Sequence, residues 1–263
     1  MTRFEDLVAV VRRLRGPGGC PWDREQTASS LRPCILEEAY EVLDAIGNAE
    51  AAPAALRDEL GDLLLQVVMQ ADIAAEAGQF TIDDVVAGLI DKMTRRHPHV
   101  FGDAVVKDSA DVIRRWSEIK AAERARSGAP DPSVLSGLPP ELPALHAAAR
   151  MGEKAARVGF DWPGPRDALA KVREELAELE DALAAGDGAA VEHELGDTLF
   201  ALASVARLAD QSPEMALRSA LARFARRFQA VEVSVRASGR DIHALTPDEL
   251  EALWVEAKRT EGG

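Results

Sequence analysis

Two short acidic runs carry the densest chemistry in this sequence: Glu174-Glu175-Leu176-Ala177-Glu178, and then Glu194-Leu195-Gly196-Asp197. On a helix, residues three or four apart share a face, so Glu175 and Glu178 point together, with Glu174 flanking through its i+4 relation to Glu178. Glu194 and Asp197 do the same on the next helix. If the two helices pair antiparallel, four or five carboxylates meet across one seam, where like charges repel by roughly several kcal/mol in a partly buried setting. A hard divalent cation removes that penalty. Oxygen ligands without histidine or thiolate companions select magnesium, with manganese as a substitute, over zinc. Such a site suits in-line attack of water on the α-phosphorus of a polyphosphate, with pyrophosphate expelled.

A single E-E-x-x-E run is commonly no more than a solvated helix face. Here Leu176 and Leu179 bracket the acids, and Leu195, Leu199 and Phe200 lie close to the second pair, which argues for a partly covered seam. Repetition argues further. Glu37-Glu38-Ala39-Tyr40-Glu41 answers to the first run, and Glu59-Leu60-Gly61-Asp62 to the second, in the same order and with the same internal spacing. Arg95-Arg96 then matches Arg226-Arg227, and Trp116-x-x-x-Lys120 matches Trp254-x-x-x-Lys258. The chain reads as a duplicated helical unit, each copy with one carboxylate cluster: Glu175, Glu178, Glu194 and Asp197 in the second, Glu38, Glu41, Glu59 and Asp62 in the first.

Arg223, Arg226 and Arg227 are candidates to hold a triphosphate, since the planar guanidinium fork matches phosphate oxygens. Lys171, one turn before Glu175, is another. Each is otherwise a surface charge balancing an acidic protein. Trp254 either stacks on a base or fills the core, and Lys258 lies one turn beyond it. Other nucleotide devices are missing: the sequence has no G-x-x-x-x-G-K-[ST] loop and no G-x-G-x-x-G after a strand. The five histidines form no Glu-x-x-His pair, which disfavours a di-iron centre, and neither Cys20 nor Cys34 has the cationic context of a nucleophile.

The elements that must position these residues are helical. The 263 residues are 47% hydrophobic but only 5% aromatic, and apolar positions recur at helical rather than alternating spacing. The expected fold is all-α. Helices are predicted from Phe4 to Leu14, Arg32 to Ile46, Ala54 to Ala77, from Thr81 as N-cap to His97-Pro98, and from Asp111 to Arg126. Leu56, Leu60, Leu63, Leu64, Val67 and Val68 are the expected inward stripe of the third. Further helices are predicted over Leu145 to Val158, Ala168 to Ala185, Val191 to Gln211, and Glu214 to Ser238 behind Ser212-Pro213. A last one opens on the Thr246-Pro247-Asp248-Glu249 capping box. The Pro/Gly-rich stretch at 127–144 is the strongest break, dividing an N-terminal domain, 1–126, from a C-terminal one, 145–263.

Lysines and arginines number 31 against 45 aspartates and glutamates, a net charge of -14 and a pI near 4.9. A duplex nucleic acid partner is disfavoured, whereas a metal-neutralised polyphosphate is not. No window of eighteen apolar residues predicts a membrane span, and the start lacks a basic n-region followed by an apolar one. With two cysteines and no dense framework, a cytoplasmic protein is expected.

Taken with Cys20-Pro21-Trp22-Asp23-Arg24-Glu25-Gln26-Thr27, Arg95-Arg96-His97-Pro98-His99-Val100-Phe101 and Val158-Gly159-Phe160-Asp161-Trp162, the two acidic pairs resemble the tandem-domain MazG nucleotide pyrophosphohydrolases over nearly the whole chain. The resemblance implies duplicated helical bundles of the all-α NTP pyrophosphatase type and a homodimer formed by helical packing. It also implies magnesium-dependent hydrolysis of nucleoside triphosphates, canonical and non-canonical, to monophosphate and pyrophosphate. Carried over by motif, Glu175, Glu178, Glu194 and Asp197 become magnesium ligands and Glu174 an auxiliary acid or water-orienting base. Lys171, Arg223, Arg227, Trp254 and Lys258 become nucleotide contacts. The second copy is the expected principal site, with the first a metal-competent duplicate. A nucleotide- and metal-sensing protein without turnover, or a purely structural bundle, are the competing readings.

Overall fold

The described residues of the computed structural model, 3–47, 52–126 and 133–261, form helices joined by turns, with no strand among them. This is the all-α class that the periodicity predicted. The chain divides into two compact units, Met1–Ser127 and Gly128–Gly263.

Unit 1 contains α1 (Phe4–Arg15), α2 (Pro21–Glu25), α3 (Arg32–Gly47), α4 (Pro53–Glu76), α5 (Ile82–Arg96), α6 (Pro98–Phe101) and α7 (Ser109–Arg126). Helices α3 and α4 pair along their lengths, and α1 and α5 lean on α4. Val8, Val11, Leu31, Val68, Met69, Ala71 and Ile82 make the core. Arg15 is buried beside it and satisfies its charge by pairing with Asp72 at 3.3 Å and Glu76 at 2.7 Å, while donating to the Asp23 carbonyl at 2.6 Å. One side chain thereby fastens α1, α2 and α4, an outcome forced by the cost of leaving a buried guanidinium unpaired.

Unit 2 contains α8 (Ala144–Ala156), α9 (Pro165–Ala185), α10 (Gly188–Leu208), α11 (Pro213–Ala237), a short 3₁₀ turn (Ile242–Ala244) and α12 (Pro247–Glu261). Helices α9 and α10 form the closest pair, α8 packs on α10, and α11 touches α8, α10 and α12. Val231, Val235 and Ala257 are the core between α11 and α12.

The caps appear where the residue types call for them. Thr81 Oγ1 accepts from the Asp84 amide at 3.3 Å and Asp84 reciprocates. Ser212 caps α11 through the Met215 amide, and Thr246 and Glu249 form the expected box ahead of α12.

Three differences from expectation have physical causes. Helices α2 and α6 and the 3₁₀ turn are too short to show a period. Pro98 does stop α5, but, having no amide to satisfy, it also opens α6. The predicted inward stripe of α4 is only partly inward. Val68 is 1% exposed and Leu56 and Leu63 are half-buried, but Leu60, Leu64 and Val67 are 49%, 41% and 43% exposed. The core is built from the C-terminal half of α4 instead, because the helix has more apolar faces than its unit has neighbours to cover them. The expected break between Ser127 and Pro132 lies outside the described residues, as does Asn48 after α3. Within the stretch expected as linker, Lys154 of α8 donates to the Ser136 carbonyl at 2.5 Å, so residues near 136 pack as part of unit 2.

Candidate active site

The acid pairs of unit 2 face each other because the turn between their helices is as short as it can be. Helix α9 ends on Gly186, whose φ of 69° is the left-handed conformation glycine adopts without strain. The next residue, Asp187, caps α10 by accepting from the amides of Ala189 and Ala190 at 3.0 and 3.2 Å. Glu178 and Glu175 precede Gly186 by eight and eleven residues, while Glu194 and Asp197 follow Asp187 by seven and ten. At about 1.5 Å of rise per residue the two pairs reach equal heights on antiparallel helices.

Carboxylate oxygens of Glu175, Glu194 and Asp197 all lie within 4.8 Å of one another. Glu175 is buried, Glu194 half-buried and Asp197 exposed. Three of the expected acids thus meet mutually, and the other two lie next to them. Glu178 adjoins this group through a side-chain hydrogen bond with Glu175; burial raises its carboxyl above the usual range, reinforced by the charges of Glu175 and Glu194 and by that bond, and opposed by Lys171. Glu174 shares a partner with Glu175. Its Oε1 accepts from Lys171 Nζ at 2.7 Å, and the same Nζ lies 2.7 Å from Glu175 Oε1. Those bonds raise the Lys171 ammonium above its ordinary range, so it stays charged. Of the apolar residues expected to cover the seam, Leu179 is half-buried, whereas Leu176, Leu195, Leu199 and Phe200 are exposed.

The predicted nucleotide contacts form a second group on α11 and α12. Trp254 is half-buried, packed on the Val231–Val235 core with its ring centroid 4.9 Å from that of Phe224. Lys258 Nζ sits 5.5 Å from the Trp254 centroid. One part of the indole therefore fills the core while the rest is accessible. Arg223 is exposed and Arg227 half-buried on α11. Arg223, Trp254 and Lys258 make no hydrogen bond or ion pair with the four acids, so the structure brings Lys171 to the carboxylates but leaves these three on their own elements.

Unit 1 repeats the plan. Oxygens of Glu38, Glu41 and Glu59 lie within 4.8 Å of one another. Burial raises Glu38, and the neighbouring charges of Asp62, Glu41 and Glu59 push the same way. Asp62 adds its charge without joining the three. Lys120 Nζ lies 4.3 Å from the Trp116 centroid, matching the Lys258–Trp254 contact. Arg95 and Arg96, at 2.9 and 2.6 Å from Glu123, hold that carboxyl down to about 2. At the position matching Lys171, unit 1 has Cys34, half-buried against the core.

Three features escaped the sequence reading. Lys171 as partner of Glu174 and Glu175 was visible in its i+3 and i+4 spacing. His193 Nε2, 3.5 Å from Asp197 Oδ2, had the same signal. Asp161 and Arg207, joined by two bonds at 3.0 and 2.6 Å, are 46 residues apart and gave none. They border an apolar cavity of about 350 Å³ lined by Val134, Leu135, Met151, Phe160, Trp162 and Phe200.

Comparison with known proteins agrees with this geometry. The profile of the MazG nucleotide pyrophosphohydrolase domain matches twice, at residues 26–101 and 164–233. The chain is 42% identical over 264 residues to the nucleoside triphosphate pyrophosphohydrolase of Escherichia coli strain K12, covering 99% of each. It is also 42% identical over 255 residues to the Thermotoga maritima nucleoside triphosphate pyrophosphohydrolase/pyrophosphatase MazG, covering 97% of this chain and 95% of that protein. A nucleoside triphosphate pyrophosphohydrolase of Mycolicibacterium smegmatis is 34% identical over 275 residues, with 71% of its length covered. With the domain present in both units and matched around both acid seams, the chain belongs to the MazG nucleotide pyrophosphohydrolase family.

Proposed function

We propose that this protein hydrolyses nucleoside and deoxynucleoside triphosphates of broad base range to the monophosphate and pyrophosphate, with unit 2 as the principal site. The observation that carries the reading is the meeting of Glu175, Glu194 and Asp197 oxygens within 4.8 Å, one of them on a buried side chain. The donor set fits magnesium: it is all carboxylate oxygen, it is electrostatically frustrated without a cation, and Asp197 leaves one side open to solvent. Glu175, Glu194 and Asp197 would hold the ion, with Glu178 as the fourth ligand. A bound magnesium supplies charge neutralisation and polarisation of the phosphate oxygens.

The side chains supply the rest. Glu174, exposed beside the cluster, orients the attacking water and accepts its proton. Lys171, Arg223 and Arg227 bind phosphate oxygens, and Lys258 adds a cation beside the accessible part of Trp254, which offers its face to the base. A side-chain stack makes few demands on base identity, which supports a broad range and a role in nucleotide-pool housekeeping. In unit 1, Glu38, Glu41, Glu59 and Asp62 form a metal-competent duplicate.

The working form is a homodimer. Leu217, Leu221, Phe224 and Phe228 form a stripe along α11 with every member at least 40% exposed. Gly61 and Gly196 sit mid-helix in both acid motifs, and nothing comes within 4 Å of where a Cβ would stand. A helical glycine costs roughly 0.5–1 kcal/mol relative to alanine, and no contact inside the chain offsets it. Both features support close approach by a second copy. Among the described residues no helix is long and apolar enough to cross a membrane. The free thiols Cys20 and Cys34 support placement in a reducing cytoplasm.

The decisive experiment incubates the protein with dATP and magnesium in heavy-oxygen water. Pyrophosphate is expected as product with the label in the monophosphate, because attack is at the α-phosphorus. Release of orthophosphate alone overturns the reading, and label in pyrophosphate overturns the point of attack.

A further inference from the structure

The two acid seams differ in what neutralises them at rest. In unit 2 the Lys171 ammonium sits 2.7 Å from an oxygen of Glu174 and 2.7 Å from one of Glu175. Glu175 is the buried member of the triad, and a buried carboxylate requires a countercharge. Lys171 is the one lysine or arginine in ion-pair contact with it among the described residues. In unit 1 the matching place, four residues before Glu38, is Cys34, which is turned to the core. Among the described residues no lysine or arginine pairs with Glu38, Glu41, Glu59 or Asp62.

We infer that Lys171 is a built-in resting counter-ion of the unit 2 acids, which leaves them for the phosphate oxygens of an incoming triphosphate as a divalent ion takes its place, so that ion and nucleotide bind there together whereas unit 1 binds the ion alone. The inference rests on the proposed function only for the identity of the ligands; the exchange itself follows from charge and distance. A divalent ion among Glu175, Glu194 and Asp197 would lie within a few ångströms of the ammonium, and the two cations repel. Lys171 is 36% exposed on its side chain and its long stem can swing away from Glu175. The freed ammonium, one helical turn before the ion, then meets the excess negative charge that a triphosphate brings. Each ligand lowers the cost of binding the other, which is positive coupling in the thermodynamic sense. Lys171 stays protonated throughout and no bond to it changes. Among the described residues no cation is paired with the unit 1 acids to be expelled, so this cluster fills without help from a nucleotide.

The test reads ion binding rather than turnover. Unbound manganese is followed by its paramagnetic signal in two full-length variants that each retain one seam, E38Q/E59Q and E175Q/E194Q. Without nucleotide the unit 1 seam is expected to bind manganese at least about tenfold more tightly than the unit 2 seam, the order expected for one displaced charge at close range. Adding an α,β-methylene triphosphate should tighten manganese binding at unit 2 and leave unit 1 within about twofold. Two exchanges move the counter-ion itself. Lys171→Met in the E38Q/E59Q chain should tighten nucleotide-free manganese binding and weaken its coupling to the analogue, while Lys171→Arg keeps both near the starting values. Cys34→Lys in the E175Q/E194Q chain should loosen manganese binding at unit 1. Equal affinities of the two seams, or weaker manganese binding on Lys171→Met, overturn the inference. The catalytic reading is judged separately: ion affinities in the expected order without pyrophosphate release would leave the exchange standing and remove the activity, and the reverse pattern would do the opposite.

Discussion

Gly152→Ala inverts the usual helix rule, and the size of the effect can be worked from the contacts. Gly152 lies inside α8, where alanine is favoured over glycine by about 1 kcal/mol on propensity alone. A Cβ there would stand 2.8 Å from Arg207 Nε and 3.4 Å from two further guanidinium atoms. That guanidinium cannot step aside cheaply, because two bonds of 3.0 and 2.6 Å tie it to Asp161 and the two side chains are only 12% and 22% exposed. Charge-assisted bonds of this kind contribute about 1.5–3 kcal/mol each at most, less with partial exposure, so losing the pair costs about 3 kcal/mol. The balance is a loss of about 2 kcal/mol, or about 6 °C in the melting of a unit this size. Calorimetry of the full chain reads it, with Asp161→Asn as the control. In that background the arginine is free to move and Gly152→Ala should become neutral or stabilising. The acid limit carries its own sign. The bonds from Arg207 hold Asp161 below the usual carboxylate range, so the pair's contribution is present above the unfolded value of about 3.9 and is lost as pH falls through the folded value. The penalty should therefore be full at neutral pH and shrink below about pH 4. A higher melting temperature for Gly152→Ala in the otherwise unaltered chain refutes the reasoning. The pair matters to the site because it ties the segment that leads into α9 to the flank of α10.

Glu175→Gln should lower pyrophosphate release by about a hundredfold or more, the cost of removing one preorganised charge stabiliser, while Glu38→Gln changes it far less; the opposite ranking in a steady-state assay would move the principal site to unit 1. Glu123 is held down to about 2 by Arg96 and Arg95, so their pairing should stabilise unit 1 at any pH above the unfolded value of about 4.3 and fade between there and the folded value. Melting curves of the unaltered chain and Glu123→Gln should accordingly differ at pH 7 and converge toward pH 2, and a gap that widens in acid would contradict the assignment. Leu221→Glu, placing a charge in the exposed α11 stripe, should halve the mass measured by light scattering without unfolding the chain. An unchanged mass would remove α11 from the dimer contact.

The long helices were legible because twelve or more residues give a 3.6-residue period several turns to declare itself, and because Thr81, Ser212 and Thr246 announce helix starts by chemistry that acts within three residues. Helices α2 and α6, of five and four residues, offer no such period. The meeting of Glu175, Glu194 and Asp197 could be anticipated from i+3 spacing and a short turn. The i+3 spacing allowed Glu174 to bond Lys171, but whether its carboxylate takes that ammonium or solvent is decided by rotamers, which spacing leaves open. The Asp161–Arg207 bond links residues that only the packing of α8 on α10 brings together. The apolar face of α4 was read as inward, and Leu195, Leu199 and Phe200 of α10 as part of a covered seam, on the ordinary rule that leucine stripes point inward, a rule that assumes a chain covers itself.

Gly186 and Asp187 act as a ruler with no slack. Each inserted residue after Gly186 would turn α10 by about 100° and advance it by about 1.5 Å, carrying Glu194 and Asp197 off the face that looks at α9. Substitutions over most of the surface of unit 2 leave that phase alone, but a single insertion or deletion between the two glutamate motifs does not. Length variation between the two motifs of unit 2 should thus be selected against.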